Sequence, residues 1–291
     1  MQVDKAVIPA AGFGTRFLPV TKSQPKEMMP VLDKPTIQYV VKEAVESGID
    51  AILIITGRGK ESLERRFNKS FELEQELQAA GEHDRLDRVR DIAALADIHY
   101  VRQNERNGLG DAVYYARKHV GDEPFALLLG DTIVESDVPC TARLVNYAEE
   151  FGDSVLSLER VPWERVSAYG VAELDEGDAD RECFPVEKPP REEAPSNLAI
   201  TGRYVLTSEI FELIEETERG LSGELQLTDA IRKLSTVRGV ELKGDRYDIG
   251  NIPDWLRANI QMAITHDDEM HDAVRDLLEE ELHEEEEAVD E

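Results

Sequence analysis

Short apolar segments that alternate with helix-like segments are the feature that most restricts the fold of this chain. Residues 51–56 read AILIIT and residues 125–129 read FALLL. Runs of this length and composition are typical of β-strands buried on both faces. Residues 37–45 and 112–120 instead show the apolar spacing of helices. The alternation predicts a Rossmann-like α/β fold with a mixed, mainly parallel sheet flanked by helices, and ligands at the carboxyl ends of its strands.

The second half of the chain is richer in predicted strands. Residues 153–160, 170–174, 200–205 and 240–243 read as strands, residues 208–218 and 225–234 as helices, and a long helix starts at Pro253. No linker or change of composition divides the chain before about residue 265. We therefore expect residues 1–265 to form a single domain. Residues 266–291 form an acidic C-terminal extension that we expect to be partly helical or disordered.

Composition narrows the protein class. The 291 residues are 41% hydrophobic, include two cysteines and carry a net charge of −29. No apolar run approaches the roughly 18 residues that span a bilayer, and two cysteines cannot build a disulfide framework. These features predict a cytoplasmic protein that binds neither membrane nor nucleic acid, because it has no basic surface. The acidity suggests adaptation to high salt, where screening makes self-repulsion tolerable.

A glycine-rich loop, PAAGFGTR at residues 9–16, follows the first apolar run. Its bare backbone can approach a ligand closely, and successive amides form a concavity for phosphate or a base edge. Arg16 and Lys26 add two cations, so the segment predicts a triphosphate site. The loop fits neither the dinucleotide pattern nor the P-loop. The alternatives are a simple tight turn and, for the two cations, surface salt bridges, for example between Lys26 and Glu27.

Asp131 directly follows the buried strand at residues 125–129. An unpaired carboxylate at such a position is costly, so we expect a cation beside it. Mg²⁺ is typically held by one or two carboxylates together with substrate phosphates and water. The alternative is that the Asp131 side chain caps the next turn. The six histidines, by contrast, show no metal-ligand spacing.

Residues 10–44 resemble the N-terminal signature of the sugar-phosphate nucleotidyltransferases, and within them the bacterial-type UTP–glucose-1-phosphate uridylyltransferases. Further blocks occur in the order of that family and extend to about residue 261. They are Gln103 with Gly108-Leu109-Gly110, Gly130-Asp131, Tyr169-Gly170-Val171, Val186-Glu187-Lys188-Pro189, the segment 223–230, Arg246-Tyr247-Asp248-Ile249-Gly250 and Arg257-Ala258-Asn259-Ile260. This ordered set is far more specific than any single block.

The resemblance implies the nucleotide-diphospho-sugar transferase fold and a Mg²⁺-assisted reaction. The phosphate oxygen of glucose 1-phosphate would displace pyrophosphate from UTP in line, giving UDP-glucose. Such chemistry needs positioning and charge neutralisation rather than a protein nucleophile. A homo-oligomer, dimer or tetramer, is also implied. Two alternatives stay open: a thymidylyltransferase acting on the same sugar phosphate, and a non-catalytic regulatory protein that binds nucleotide sugars.

The resemblance also assigns roles to individual residues. The implied catalytic residues are Arg16, Lys26, Asp131 and Lys188. The implied nucleotide-binding residues are Ala11, Gly12, Gly14, Thr15, Arg16, Lys26, Gln103 and Gly108, with Gln103 and Gly108 reading uracil. The implied sugar-phosphate residues are Gly170, Glu187 and Lys188, and the implied metal ligands are Asp131 and Asp248.

For some residues the sequence supports the implied roles less clearly. Glu187 and Lys188 are adjacent, and adjacent residues inside a strand point to opposite faces, although a strand end would free both. We expect Glu224 and Asp229 to be structural residues at a helix start. Two residues depart from the family pattern: Gly130 stands where a proline is frequent, and Asp111 where a less acidic residue is usual. The first departure weakens the choice of uracil over thymine.

Overall fold

The computed structural model describes residues 1–174, 182–220, 223–266, 270–277 and 279. The strands within these ranges are β1 (Lys5–Pro9), β2 (Pro30–Val31), β3 (Lys34–Pro35), β4 (Ala51–Thr56), β5 (Asp97–Arg102), β6 (Phe125–Leu128), β7 (Thr132–Glu135), β8 (Ser154–Arg160), β9 (Val171–Leu174), β10 (Cys183–Val186), β11 (Leu198–Leu206), β12 (Val237–Glu241) and β13 (Asp245–Asp248). The helices are α1 (Thr36–Glu46), α2 (Glu61–Phe67), α3 (Phe71–Ala80), α4 (His83–Ala93), α5 (Leu109–Tyr114), α6 (Arg117–Val120), α7 (Cys140–Phe151), α8 (Ile210–Glu215), α9 (Leu227–Ile231) and α10 (Ile252–His266).

Nine of these strands form one mixed sheet. Its main order is β10-β9-β11-β6-β1-β4-β5, and β8 pairs with both β11 and β12. The strands β6, β1, β4 and β5 are parallel, with Lys5 opposite Ala51 and Ala6 opposite Ala126. β11 runs antiparallel to β6 and begins the part formed by the second half of the chain. The predicted mixed α/β sheet is confirmed.

Helices cover both faces of the sheet because its central strands are apolar on both sides. In β1, Val7 packs on the face that carries α5, α8 and α9, whereas Ala6 and Ile8 pack on the face that carries α1, α2 and α7. Leu53 and Ile54 of β4 divide between the same two faces. This period-two division explains why the strands read as continuous apolar runs.

A small additional layer lies beside the carboxyl ends of the central strands. β13 pairs antiparallel with β7, which places Asp248 opposite Thr132. α10 packs on β13, and buried side chains from these elements form a separate apolar cluster with Phe17, which follows the glycine-rich loop. This cluster fixes the loop, β7 and β13 relative to one another.

Several predicted boundaries were wrong. The helix expected at residues 208–218 spans Ile210–Glu215, and the one expected at 225–234 spans only Leu227–Ile231. The helix expected at residues 112–120 is two helices, α5 and α6. Helix α7, which begins directly after Pro139 and packs on β8 and β11, was not predicted. Helix propensity predicts the ends of helices poorly, because tertiary contacts decide where a helix stops.

The acidic C-terminal extension is described only in part. Residues 270–277 are helical, whereas residues 267–269, 278 and 280–291 lie outside the described residues. Two expectations stay predictions: that this extension is partly helical or disordered, and that residues 1–265 form a single domain. None of the helices within the described ranges combines the length and hydropathy that crossing a bilayer requires.

Candidate active site

Four parallel strands end side by side, and the predicted site segments follow three of them, β1, β5 and β6. The glycine-rich loop follows β1, Gly57 follows β4, Gln103 follows β5 and Asp131 lies just beyond β6. β1 lies between β6 and β4. The sheet therefore extends from β1 through β4 and β5 on one side and through β6 on the other. Ligands of open α/β sheets bind in the crevice that forms at such a point.

One cleft, here the Gln103 cleft, has a volume of about 540 Å³. The predicted site residues that line it are Ala11, Gly12, Gly14, Thr15, Lys26, Gln103, Gly108 and Asp131. Gly108 has φ +107°, and a Cβ there would lie 2.6 Å from the carbonyl oxygen of Leu225. A larger residue is excluded on both counts, so the wall of the cleft at this point is bare backbone.

The second cleft, here the Lys188 cleft, has a volume of about 460 Å³. The predicted site residues that line it are Gly14, Thr15, Arg16, Lys26, Asp131, Gly170, Glu187, Lys188 and Asp248. Arg16, expected with the nucleotide, lines this cleft and not the Gln103 cleft, with its guanidinium near Gly250. The two clefts meet at Gly14, Thr15, Lys26 and Asp131, which line both.

An ion pair between Lys26 and Asp131 lies at this junction. Burial alone would lower the pKa of Lys26, but the carboxylates of Asp131 and Glu27 outweigh it and raise that pKa above its usual value. Burial alone would raise the pKa of Asp131, but the Lys26 ammonium outweighs it and lowers that pKa. Both groups are therefore charged at neutral pH. The carboxylate of Asp131 pairs with Lys26, and strand β7 rather than a helix follows it.

Glu27 does not pair with Lys26, although the two are adjacent. Its carboxylate accepts hydrogen bonds of 2.9 and 2.7 Å from Lys60, and both side chains are almost fully buried. Burial lowers the pKa of Lys60. Because Lys60 neutralises Glu27, Lys26 is left to face Asp131 and the junction of the clefts.

Asp131 and Asp248 lie on the paired strand ends of the small layer. The amide of Ile249 donates a 2.8 Å hydrogen bond to the carbonyl of Asp131, which holds the two segments together. Burial and the charge of Asp131 both raise the pKa of Asp248. Two carboxylates that repel each other are suited to a shared hard cation. Within the described ranges no group of three or more acidic, histidine or cysteine side chains forms a metal site, so other ligands would complete the coordination.

Glu187 and Lys188 lie just past the end of β10, and both line the Lys188 cleft. Lys188 has φ +38°, an uncommon conformation for a residue with a side chain. Its ammonium lies 3.2 Å from Glu187, which also accepts a 2.6 Å hydrogen bond from Thr228. The objection that neighbours in a strand face opposite ways does not hold here, because the strand has ended.

A family model described as Nucleotidyl transferase matches residues 5–265. This chain belongs to the nucleotidyl transferase family. It is 47% identical over 290 residues to a "UTP--glucose-1-phosphate uridylyltransferase" of Bacillus subtilis, covering 98% of this chain and 99% of that one. The predicted resemblance is confirmed.

Solved structures agree with this assignment to the nucleotidyl transferases. A "UTP-bound UGPase" from Acinetobacter baumannii is 36% identical, with a TM-score of 0.85 over 96% of this chain and 99% of that one. A "UDP-glucose pyrophosphorylase complexed with UDP-glucose" is 40% identical, with a TM-score of 0.79 over 89% of this chain and 97% of that one.

Arg246 lines the candidate site of this nucleotidyl transferase but was not among the predicted site residues. Its side chain lines the Lys188 cleft, donates a 2.6 Å hydrogen bond to Glu159 and lies 4.9 Å from the ring centre of Tyr169. A 3.7 Å ion pair links it to Asp248. The signal was present, because residues two apart in a strand point to the same face. Glu224, expected to be structural, lines both clefts.

A buried ion pair supports the Asp131 segment from behind. The guanidinium of Arg203 pairs with Glu43 at 2.7 Å and is fully buried. It also donates hydrogen bonds to the carbonyls of Leu129 (3.3 Å) and Thr132 (2.8 Å), on either side of Asp131. Nothing in the sequence indicates this arrangement, since Glu43 and Arg203 are 160 positions apart.

Proposed function

We propose that this chain transfers a uridylyl group from UTP to glucose 1-phosphate, giving UDP-glucose and pyrophosphate. The observation that carries the proposal is the junction of two clefts at Lys26 and Asp131. A reaction between two phosphate esters needs two pockets that meet at a charged centre. Its relatives named for this activity match nearly the whole chain.

In this proposal the nucleoside occupies the Gln103 cleft and the sugar phosphate occupies the Lys188 cleft. The α-phosphate of UTP then lies at the junction, beside Lys26. An oxygen of glucose 1-phosphate bonds to the α-phosphorus as the bond to the bridging oxygen of pyrophosphate breaks. Catalysis consists of alignment and of stabilising the charge that develops on the phosphates.

The residues at the junction divide this work. Lys26 contributes a fixed positive charge beside the α-phosphate. Lys188 holds the phosphate of the sugar substrate, with Gly170 and Glu187 on the sugar. Arg16, which reaches the Lys188 cleft from the glycine-rich loop, neutralises phosphate charge there. Ala11, Gly12 and Gly108 offer backbone contacts to the base, and Gln103 pairs with its edge.

Asp131 and Asp248 are the residues that would hold a divalent cation, which we propose to be Mg²⁺. The raised pKa of Asp248 shows that the two carboxylates repel each other, and a shared cation would relieve that repulsion. Mg²⁺ fits, because it prefers oxygen ligands and is commonly bound by one or two carboxylates plus substrate phosphates. When bound, the ion would neutralise phosphate charge and make the α-phosphorus more electrophilic. Lys26, now paired with Asp131, would then be freed to contact phosphate.

A pyrophosphate-release assay tests the proposal. Purified protein with Mg²⁺ and glucose 1-phosphate should release pyrophosphate with UTP, and with a higher kcat/KM than with dTTP. A preference for dTTP would instead identify a thymidylyltransferase. Binding of UDP-glucose with no turnover of either nucleotide would identify a non-catalytic regulatory protein.

The surroundings of the enzyme are part of the proposal. We place it in the cytoplasm as a homo-oligomer, and a row of half-exposed apolar residues on α10 is a suitable contact surface: Ile252, Leu256, Ile260 and Ile264. Sedimentation of Leu256→Asp against the parent tests this contact. The net charge of −29 supports adaptation to high salt. Equal stability and activity without added salt would refute that adaptation.

A further inference from the structure

Asp111 lies where its carboxylate controls the orientation of the Gln103 side chain. The amide nitrogen of Gln103 donates a 2.6 Å hydrogen bond to Asp111 Oδ2. Gln103 lines the Gln103 cleft and is only 5% exposed. Asp111 stood out in the sequence as an unexpectedly acidic residue, and the proposed chemistry leaves it without a role.

Both partners of this hydrogen bond are held by backbone contacts. The amide of Gln103 donates a 2.9 Å hydrogen bond to the carbonyl of Thr56 at the end of β4. Asp111 lies in the first turn of α5, and that turn is fixed by a 2.9 Å hydrogen bond from Gly110 to the carbonyl of Leu225. These contacts fix the backbone from which the two side chains extend toward each other.

A glutamine amide can by itself read two opposite patterns. One end accepts a hydrogen bond and the other donates, and rotation by a half-turn exchanges them. In one orientation the amide accepts from the N3–H of uracil and donates to its O4. In the other it donates to N3 of cytosine and accepts from its amino group. A free glutamine therefore discriminates poorly between these two bases.

A carboxylate accepts hydrogen bonds and does not donate them. The half-turn would bring the carbonyl oxygen of Gln103 against Asp111 Oδ2, replacing a charge-assisted hydrogen bond by two acceptors in contact. One N–H of Gln103 is used by Asp111, and the carbonyl and the second N–H remain for the base. With uracil in the cleft, as the proposed function requires, the carbonyl accepts from N3–H and the second N–H donates to O4, and an amide that cannot make the half-turn cannot present the opposite pattern to cytosine.

We propose that Asp111 is a positioning residue that makes this enzyme select uracil over cytosine nucleotides. It does so by holding the Gln103 amide in one orientation, without touching the base. The inference rests on the proposed function, because it requires the base to occupy the Gln103 cleft. It also explains why an acidic residue is present beside a site for a polyanion, where its charge is otherwise unfavourable.

The test compares UTP and CTP as substrates, each with glucose 1-phosphate and Mg²⁺. Asp111→Asn keeps the shape of the side chain but can donate, so it permits both orientations of Gln103. We expect the ratio of kcat/KM for UTP to that for CTP to fall by about 10- to 100-fold, the range that loss of a charge-assisted hydrogen bond gives. Asp111→Ala, which removes the acceptor altogether, should lower the ratio in the same direction.

Glu105→Gln is the matched control, because it removes one negative charge from the same connection between β5 and α5 at an exposed position. Its ratio should equal that of the parent enzyme. An unchanged ratio in both Asp111 variants overturns the inference, and so does an equal loss with UTP and CTP, which would mean a purely structural role. Failure of the parent enzyme to use UTP would instead refute the proposed function, so the two failures are distinguishable.

Discussion

Glu43→Gln tests the buried ion pair that supports the Asp131 segment. The carboxylate of Glu43 accepts four hydrogen bonds: from the amide and hydroxyl of Thr141 at 3.1 and 2.7 Å, and from Arg203 at 2.9 and 2.7 Å. Glutamine has nearly the same size but only one acceptor oxygen. If that oxygen stays with Thr141, the new amide group points its donors at the guanidinium.

The expected cost follows from the burial of Arg203. Its side chain is 0% exposed, and that of Glu43 is 7% exposed. The substitution removes two charge-assisted hydrogen bonds and leaves an uncompensated guanidinium away from water. Breaking one partner of a buried pair costs about 3–5 kcal/mol. We expect the free energy of unfolding to fall by that amount, and kcat to fall as well, because Arg203 also binds both carbonyls beside Asp131.

Urea denaturation of the parent and the variant measures this difference, with an unchanged m-value showing that the same surface unfolds. Glu46→Gln on the same helix is the control. Glu46 forms an ion pair with Lys42 at 3.1 Å, and at least half of each side chain is exposed. Such pairs contribute about 0.3–0.5 kcal/mol. A loss below about 1 kcal/mol for Glu43→Gln, or one equal to that of the control, would refute the reasoning.

Three further predictions concern the site and the core. Asp131→Asn should lower kcat by about 100-fold or more in the pyrophosphate assay, because removing a preorganised charge commonly has that effect; near-parent turnover would contradict it. Burial raises the pKa of Cys140 to about 11 and of Cys183 to about 12, from an ordinary 9.0. Both thiols should therefore resist Ellman's reagent at pH 8 until the protein unfolds, and their contribution to stability should decline as the pH rises above about 9. Gly108→Ala should lower the free energy of unfolding by about 2 kcal/mol or more, measured by thermal or urea unfolding, because a steric overlap adds to the roughly 1–2 kcal/mol that a positive φ costs a residue with a side chain. Gly48→Ala is the control: its φ is +85° but the space around it is open, so it should cost only the backbone part, about 1–2 kcal/mol.

Some features of the site follow from local sequence. Apolar runs marked β1, β4 and β6, and parallel strands end at one edge of a sheet, so the glycine-rich loop and Asp131 were expected to lie close together. Each predicted site residue lines at least one of the two clefts. Apolar periodicity predicted the positions of the loop and of Asp131, whereas the roles of residues such as Gln103 and Glu187 came from the family resemblance.

The ion-pair partner of each charged side chain could not be predicted from local sequence. Lys26 has a carboxylate next to it in sequence, yet it pairs with Asp131, 105 positions away, and Glu27 pairs with Lys60. The side chains of Lys26 and Glu27 diverge although the residues are adjacent, and the fold brings Asp131 and Lys60 beside them. The outcome depends on strand order, which no local pattern encodes.

The sequence by itself therefore determined the alternating α/β architecture, the position of the glycine-rich loop at the carboxyl end of the first strand and the family resemblance. The tertiary structure alone decided that Arg203 supports the Asp131 segment, that Arg246 enters the Lys188 cleft and that Asp111 fixes Gln103. The physical reason is the range of the interactions. Backbone propensity and apolar periodicity act over a few residues, whereas a buried charge selects its partner from whatever the folded chain brings within about 3 Å.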